Sequence, residues 1–274
     1  MNKFKVLAIG DIVIDHYLES GKEYVGGSAT NVGLTISRNN PESRVDLLGI
    51  IGKDQPGRQL ISRLNDTNLN LDKIIKLPGE TARAVWRRTD LTTELVEVDK
   101  GVDQGITLDY LRNINLEYYD LVHATPYSLG IDEIKYLKNQ SQKFSFDSSF
   151  VFKKEELIDL IPGTSWFFIS GDLARNYHWL DALKTFPEEA LILLNGEEGV
   201  RCIHEGLTNK LEIKSYFKGN IYDDLGAGDI FIGILLAEYY KNFSGNKIKD
   251  LLERASEKAG KACQYEGASN LRLV

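Results

Sequence analysis

The sequence is poor in the residues that build covalent or metal-linked frameworks. Its two cysteines, Cys202 and Cys263, have no paired spacing. This excludes a disulfide scaffold and reads as reduced thiols filling core space in a cytoplasmic protein. The four histidines are scattered, and none stands at a metal-ligand spacing from another histidine or a cysteine. No block of lysine and arginine occurs, so no nucleic-acid partner is expected. Long apolar runs are missing too: Ile230 to Ala237 is far too short to cross a bilayer, and no membrane partner is expected. Met1 to Gly10 lacks the long apolar stretch and small-residue cleavage site of a signal peptide and reads as a strand. There are no repeats and no low-complexity linker.

What is present is ordinary for a globular chain: 274 residues, 42% hydrophobic, 27% charged, with a net charge of −7. That length suits one large domain, residues 1–274, with a small appendage. A protein of this charge must build a local positive site to hold a polyanion. Short apolar runs suit strands buried on both faces: Lys5 to Gly10, Val45 to Ile51, Leu121 to Ala124, Lys143 to Phe146, Trp166 to Ile169 and Ala190 to Leu194. Helical spacing lies between them, at Pro56 to Leu64, Asp132 to Leu137, Glu155 to Ile161 and Trp179 to Leu183. The alternation predicts an α/β fold with a mostly parallel sheet wrapped by helices. Two stretches, residues 11–25 and 81–98, depart from this pattern. Ala82, Ala84 and Trp86 oppose Arg83, Val85 and Arg87. Leu95, Glu97 and Asp99 alternate with Glu94, Val96 and Val98. Such two-faced strands form a small β-sheet lid beside the main core, or plain surface hairpins.

Three segments carry chemistry. Asp223-Asp224-Leu225-Gly226-Ala227-Gly228-Asp229 precedes the apolar stretch Ile230 to Ala237, long enough for a buried helix. The glycine-rich turn then sits at a helix N-terminus, where free N–H groups and the helix dipole favour an anion. A carboxylate there, Asp229, repels phosphate unless it has a role, and accepting a proton from an attacking hydroxyl is such a role. Taken alone, the turn reads equally well as an N-cap. No Gly-x-x-x-x-Gly-Lys-Ser/Thr pattern occurs, and Gly226-x-Gly228 continues to Phe231, which fits neither a P-loop nor a dinucleotide fingerprint. The second segment, Gly26-Gly27-Ser28-Ala29-Thr30-Asn31, allows close backbone approach and offers Asn31 to hydroxyl groups, or is a turn with a helix cap. The third, Leu194 to Val200, reads as a hairpin containing Gly196 and Gly199.

In this order the segments resemble the ribokinase, or phosphofructokinase-B, family of sugar and nucleoside kinases. Gly10-Asp11 with Asp15, Gly26-Gly27 with Asn31, the Gly49 to Gly57 stretch, Gly196 to Gly199, and Asp223 to Asp229 each resemble a family motif, the last being D-T-x-G-A-G-D. The resemblance implies a ribokinase-like three-layer α/β/α sandwich with a β-sheet lid. It implies Asp229 as general base and the Gly226, Ala227 and Gly228 amides as an anion hole. Asp11, Asp15, Gly26, Gly27 and Asn31 would hold the sugar, and Gly196 and Gly199 the nucleotide. It further implies ATP and Mg²⁺, leaves a monovalent cation open, and suggests a homodimer through the lid.

Two positions depart from the family pattern. Asp224 and Leu225 replace the usual Thr pair, and an acid at 224, on the nucleotide side, either repels phosphate or helps a cation. No Asn-x-x-Glu motif follows Phe167 to Ile169; Ser170-Gly171-Asp172 stands there, with Asp172 as a substitute, and the metal ligands are left unassigned. Within the family the chain resembles the fructoselysine 6-kinases, through Gly10 to Asp15, Tyr119 to Ala124, Phe146 to Ser149 and Gln264 to Ala268. This implies a sugar or sugar-amine substrate phosphorylated on a primary hydroxyl. Arg83, Arg87 and Arg88 on the lid are candidates for the carboxylate of its amino-acid tail, or a solvated strand face. Another sugar or nucleoside kinase, and a non-catalytic sugar sensor, stand as alternatives.

Overall fold

Strands such as Lys5–Ile9 and Trp166–Ser170 are buried along nearly their whole length, which requires a layer of helices on each side. The computed structural model describes residues 3–89, 92–183, 185, 187–204, 209–214, 221–241 and 248–273. The main sheet has nine strands. They are β1 (Lys5–Ile9), β4 (Arg44–Leu48), β6 (Leu69–Asn70), β10 (Leu121–Ala124), β11 (Phe144–Asp147), β12 (Trp166–Ser170), β13 (Ala190–Leu194), β14 (Val200–His204) and β15 (Asn209–Ile213). Their order is β15-β14-β13-β12-β11-β10-β1-β4-β6, parallel from β13 to β6 and antiparallel at β14 and β15.

Alternate residues of these strands divide two cores. Val6, Ala8, Trp166 and Phe168 pack with helices α1 (Ser28–Asn39), α2 (Gln55–Asn65), α7 (Ala227–Lys241) and α8 (Ile248–Ala262). Leu7, Ile9, Phe167 and Ile169 pack with α3 (Leu108–Arg112), α4 (Ile131–Gln140), α5 (Lys154–Leu160) and α6 (Asp172–Arg175). This three-layer arrangement matches the fold expected from the sequence. Both cysteines are buried and free.

Two local expectations change. The run Val45 to Ile51 is not one strand: β4 ends at Leu48, and β5 (Ile50–Gly52) pairs instead with β7 (Ile75–Leu77). At Gly49 a Cβ would lie 2.4 Å from Ile12 and 2.6 Å from the Gly10 carbonyl oxygen, so the chain changes sheets there against the end of β1. The stretch Trp179 to Leu183 is mostly a 3₁₀ segment, Tyr177–Ala182, closed by Leu183 N donating to Leu180 O at 2.9 Å.

The stretches 11–25 and 81–98 supply a separate four-stranded sheet: β2 (Val13–Tyr17), β3 (Glu23–Gly26), β8 (Arg83–Arg88) and β9 (Thr93–Asp99), in the order β3-β2-β8-β9. Asp90 and Leu91, within the second stretch, lie outside the described residues, as do Met1 and Asn2. The alternation read from the sequence breaks in β9. Val85 pairs with Glu97 but Trp86 with Leu95, leaving Val96 as an extra residue. This bulge puts Leu95 opposite Trp86 and Val98 opposite Ala84, on one face.

Helices α1 and α7 approach closely because Gly233 has no side chain: a Cβ there would lie 2.5 Å from Thr35 Cβ and 3.0 Å from the Val32 carbonyl oxygen. Their first turns are thereby brought together. No helix among the described residues is long and apolar enough to cross a membrane.

Candidate active site

In an open parallel sheet, ligands bind beyond the carboxyl ends of the strands. At that edge β1 leads into Gly10-Asp11, β10 into Thr125, β11 ends in Asp147 and β13 leads into Asn195. The first turns of α1 and α7 meet there as well. Asn31 Nδ2 donates to Asp229 Oδ2 at 2.8 Å. Burial raises the Asp229 carboxyl to about 8; the Asn31 hydrogen bond opposes this, while the charges of Asp147 and Asp11 push it further up. Asn31 Oδ1 is buried and has no partner among the described residues, so it is open to a ligand hydroxyl.

The turn before α7 has Gly226 in the left-handed region, at φ 73°. Ala227 N donates to Asp224 O at 3.2 Å, and Gly226 O accepts from Ile230 N at 2.9 Å. Of the three amides expected to form an anion hole, that of Ala227 therefore closes the turn. Those of Gly226 and Gly228 have no acceptor among the described residues. They are the orphan donors of a helix N-terminus, where the dipole favours negative charge.

In the small sheet, Asp15 accepts from Trp86 Nε1 at 2.8 Å. Burial raises its carboxyl to about 7, and the charges of Asp11 and Asp223 add to this against the Trp86 bond. Its carboxylate fills the space a side chain at Gly26 would need, 2.0 Å from a Cβ. Gly27 lies as close to Asp11, whose carbonyl oxygen is 2.3 Å from such a Cβ. The Asp11 carboxylate is engaged structurally, accepting from Ser28 N at 3.1 Å, Ala29 N at 3.4 Å and Thr125 Oγ1 at 3.1 Å. Gly27 gives α1 no side-chain cap, and Asp11 caps it from the end of another strand.

The small sheet is tied to the α7 turn through three acids. Asp223 accepts from Tyr17 Oη at 2.5 Å, Gly267 N at 2.8 Å, Thr93 Oγ1 at 2.7 Å and Leu225 N at 3.0 Å. Asp224 accepts from Thr92 Oγ1 and Thr93 N, both at 2.7 Å. Glu266 accepts from Tyr24 Oη and Ser20 Oγ at 3.1 Å and pairs with Lys22 at 3.1 Å and Arg88 at 3.0 Å. Burial pushes the Glu266 carboxyl up, but these donors outweigh it and hold it below its ordinary value. On the other flank, Gly196 (φ 57°) and Gly199 (φ 97°) shape the β13–β14 hairpin. A Cβ at Gly228 would lie 3.4 Å from Leu194, so this hairpin borders the turn.

The sequence profile of the pfkB family carbohydrate kinases matches residues 3–273. The chain belongs to this family. It is a phosphotransferase acting on a sugar hydroxyl. Among curated relatives, fructosamine kinase FrlD of Bacillus subtilis is 28% identical, over 96% of this chain and 92% of its own. Fructoselysine 6-kinase of Escherichia coli is 24% identical, over 96% and 99%. Among solved structures, ribokinase from Giardia lamblia superposes with a TM-score of 0.81 at 16% identity, covering 97% of this chain and 95% of that one. Fructokinase with bound ATP from Xylella fastidiosa gives 0.80 at 17% identity, covering 98% and 94%. The ribokinase fold is shared.

The geometry of this pfkB kinase adds residues that sequence reasoning missed and sets others aside. Asp147 is buried and raised to about 6, first by burial and then by the charge of Asp11. One of its oxygens accepts from Ser149 N at 2.8 Å, and no described residue donates to the other. Tyr127 Oη lies beside it, 2.8 Å from Ser149 Oγ. The signal for Asp147 was available, as a carboxylate at the C-terminal end of a parallel strand. Asp172 does not join the cluster; it is exposed and pairs with Arg175 at 2.7 Å. Of the three arginines of β8, Arg83 pairs with Glu23, and Arg88 pairs with Glu266 with its guanidinium 4.1 Å from the ring centre of Tyr222. Arg87 is exposed and alternates with Trp86 along β8, so the structure does not bring it to the Asp15 side. Among the described residues, no three or more His, Cys, Asp or Glu side chains gather to hold a metal ion.

Proposed function

We propose that this kinase transfers the γ-phosphoryl group of ATP to the primary 6-hydroxyl of a fructosamine, with fructoselysine as the best-supported acceptor. The observation that carries the transfer chemistry is the buried Asn31–Asp229 pair beside the open amides of Gly226 and Gly228. The names of two relatives spanning nearly the whole chain support the acceptor. The sugar would lie between Asp15 and Asn31, with its 6-hydroxyl at Asp229. As the hydroxyl oxygen bonds to the γ-phosphorus, its proton passes to Asp229, and the bond to the ADP oxygen breaks. The Gly226 and Gly228 amides and the α7 dipole stabilise charge on the phosphoryl oxygens, the larger part of catalysis in phosphoryl transfer. Mg²⁺ keeps several waters and takes one or two carboxylates beside phosphate oxygens, and it would neutralise phosphate charge here. Asp147, with one oxygen unengaged, is the carboxylate that fits it. The small sheet acts as a lid that excludes water. Its edge strand exposes Leu95, Val96 and Val98, which suits a homodimer through this sheet.

Two measurements test this reading. With ATP and Mg²⁺, ADP release should depend on the acceptor, and kcat/KM should be highest for fructoselysine among fructoselysine, fructose, ribose and adenosine. Preference for adenosine would shift the assignment to a nucleoside kinase, and no acceptor dependence at all would favour a sensor. The pH profile tests the base. Asp229 works only when ionised, so kcat/KM for the acceptor should rise about tenfold per pH unit until it levels near the Asp229 value of about 8. A profile flat from pH 6 to 9, about the span that brackets it, would exclude Asp229 as the titrating base.

A further inference from the structure

Asp224 stands two residues before Gly226, whose amide is one of the two open donors of the turn. A carboxylate in that position has a local alternative to its present partners. Asp and Asn side chains readily accept from the amide two residues on. The adjacent residue already does this, Leu225 N donating to Asp223 Oδ1 at 3.0 Å. Shifted by one residue, the same geometry would put the Asp224 carboxylate on the Gly226 amide, in the place of a phosphate oxygen. What holds it away is the β8–β9 hairpin: Thr92 Oγ1 on one carboxylate oxygen and Thr93 N on the other, both at 2.7 Å. Thr93 opens β9 of the small sheet and Thr92 immediately precedes it, and Asp15 and Trp86, joined at 2.8 Å on the sugar side, belong to the same sheet. A sugar that engages Asp15 therefore steadies the sheet whose hairpin occupies Asp224.

We infer that Asp224 is a positioning residue that makes phosphate binding at the α7 turn conditional on a seated small sheet. With the sheet seated, the charge of Asp224 is taken up by Thr92 and Thr93, and the Gly226 amide is free for the γ-phosphate. With the sheet displaced, the carboxylate turns to that amide, repels the triphosphate and suppresses transfer to water. This deepens the kinase reading and rests on it. The glycine-rich turn thus carries its own sugar-dependent inhibitor, built from an acid where the family motif D-T-x-G-A-G-D has Thr.

Two substitutions separate this from a simple structural role because they should act in opposite directions. Asp224→Asn removes the charge and keeps an acceptor. Thr92→Val removes a donor and keeps the charge. Binding of a non-hydrolysable ATP analogue with Mg²⁺ is measured by calorimetry without acceptor, alongside acceptor-free ATP hydrolysis. Asp224→Asn should bind the analogue about tenfold tighter, the scale of one unit charge near a phosphate group in a partly solvated site, and hydrolyse ATP faster than wild type. Thr92→Val should bind it more weakly. With saturating acceptor the difference between Asp224→Asn and wild type should shrink. Asp224→Thr, which restores the residue usual in the family, repeats the first arm should Asn fold poorly. Losses of like sign in both variants, or no change in either while wild type turns over acceptor, would overturn the inference. A wild-type protein that binds no ATP analogue with or without acceptor would overturn the kinase reading and this inference with it.

Discussion

Asp229→Asn should lower kcat by at least about 10²-fold and at the same time make the protein more stable above pH 8, about the value to which its buried carboxyl is raised. The first effect follows from removing the proton acceptor. The second follows from linkage. The carboxyl stands at about 8 in the fold against an ordinary value of 3.8. Between those values the native state binds a proton that the unfolded chain has released. Stability contributed by the protonated group is therefore complete below about 4 and lost progressively as pH rises through about 8. Asparagine can still accept from Asn31 Nδ2 and carries no charge at any pH. The variant should gain at least ~1 kcal/mol over wild type at pH 8.5, and the gain should vanish towards pH 4. Asp15 and Asp147, raised to about 7 and about 6, act in the same direction but are present in both proteins. Urea denaturation at the two pH values checks the stability claim, and single-turnover kinetics checks the chemical one. Near-normal turnover would remove Asp229 from its role. A variant less stable at pH 8.5 would show that the carboxylate is held by the converging helix dipoles more strongly than burial opposes it. Loss of activity with a gain in stability is the pattern of a residue kept for chemistry at a cost to the fold.

The main sheet was legible because its strands are apolar on both faces and end in polar or glycine residues, as at β1, β10, β12 and β13. The split at Gly49 was not. It depends on Ile12 and Gly10 filling the space beside that glycine and on β7 waiting further along the chain, as the Ile50–Ile75 register implies. The site shows the same division. Local spacing names Asn31 and Asp229 as candidates, but only the Gly233 contact between α1 and α7 brings together two residues 198 positions apart. Asp224 was legible as an anomaly and not as a mechanism, since its partners Thr92 and Thr93 are unremarkable in sequence and 132 and 131 positions away. Asp11 was read as a sugar contact through its resemblance to a family motif. Its carboxylate also completes a helix whose own cap position is glycine, a need visible only once that helix is placed.

Gly226→Ala should destabilise the protein by about 2–4 kcal/mol and abolish measurable turnover, whereas Gly228→Ala should leave the fold as stable as before. The two glycines are two residues apart in one motif and meet different surroundings. Gly226 has φ 73°, which costs a side chain about 1–2 kcal/mol. Its Cβ would also lie 2.2 Å from Ala268 Cβ and 3.3 Å from Ala268 Cα, so backbone must move to admit it. The displaced segment is the one whose Gly267 amide donates to Asp223, and the same Cβ would crowd Asn31 Nδ2 at 3.4 Å, the donor to Asp229. One methyl group thus disturbs the turn, the small-sheet tie and the base together. At Gly228 the nearest atom to such a Cβ is Leu194 Cδ1 at 3.4 Å, an ordinary contact, and alanine favours a helix over glycine by up to about 1 kcal/mol. Gly228→Ala should therefore melt no lower than wild type. Any loss of activity it shows then reports on the space a phosphate needs beside its amide, which an intact fold cannot otherwise reveal. Thermal melts of both variants with ATP titrations of Gly228→Ala make the comparison. A Gly228→Ala protein with unchanged stability and unchanged KM for ATP would move the phosphate away from that amide and leave Gly226 as the single donor of the turn.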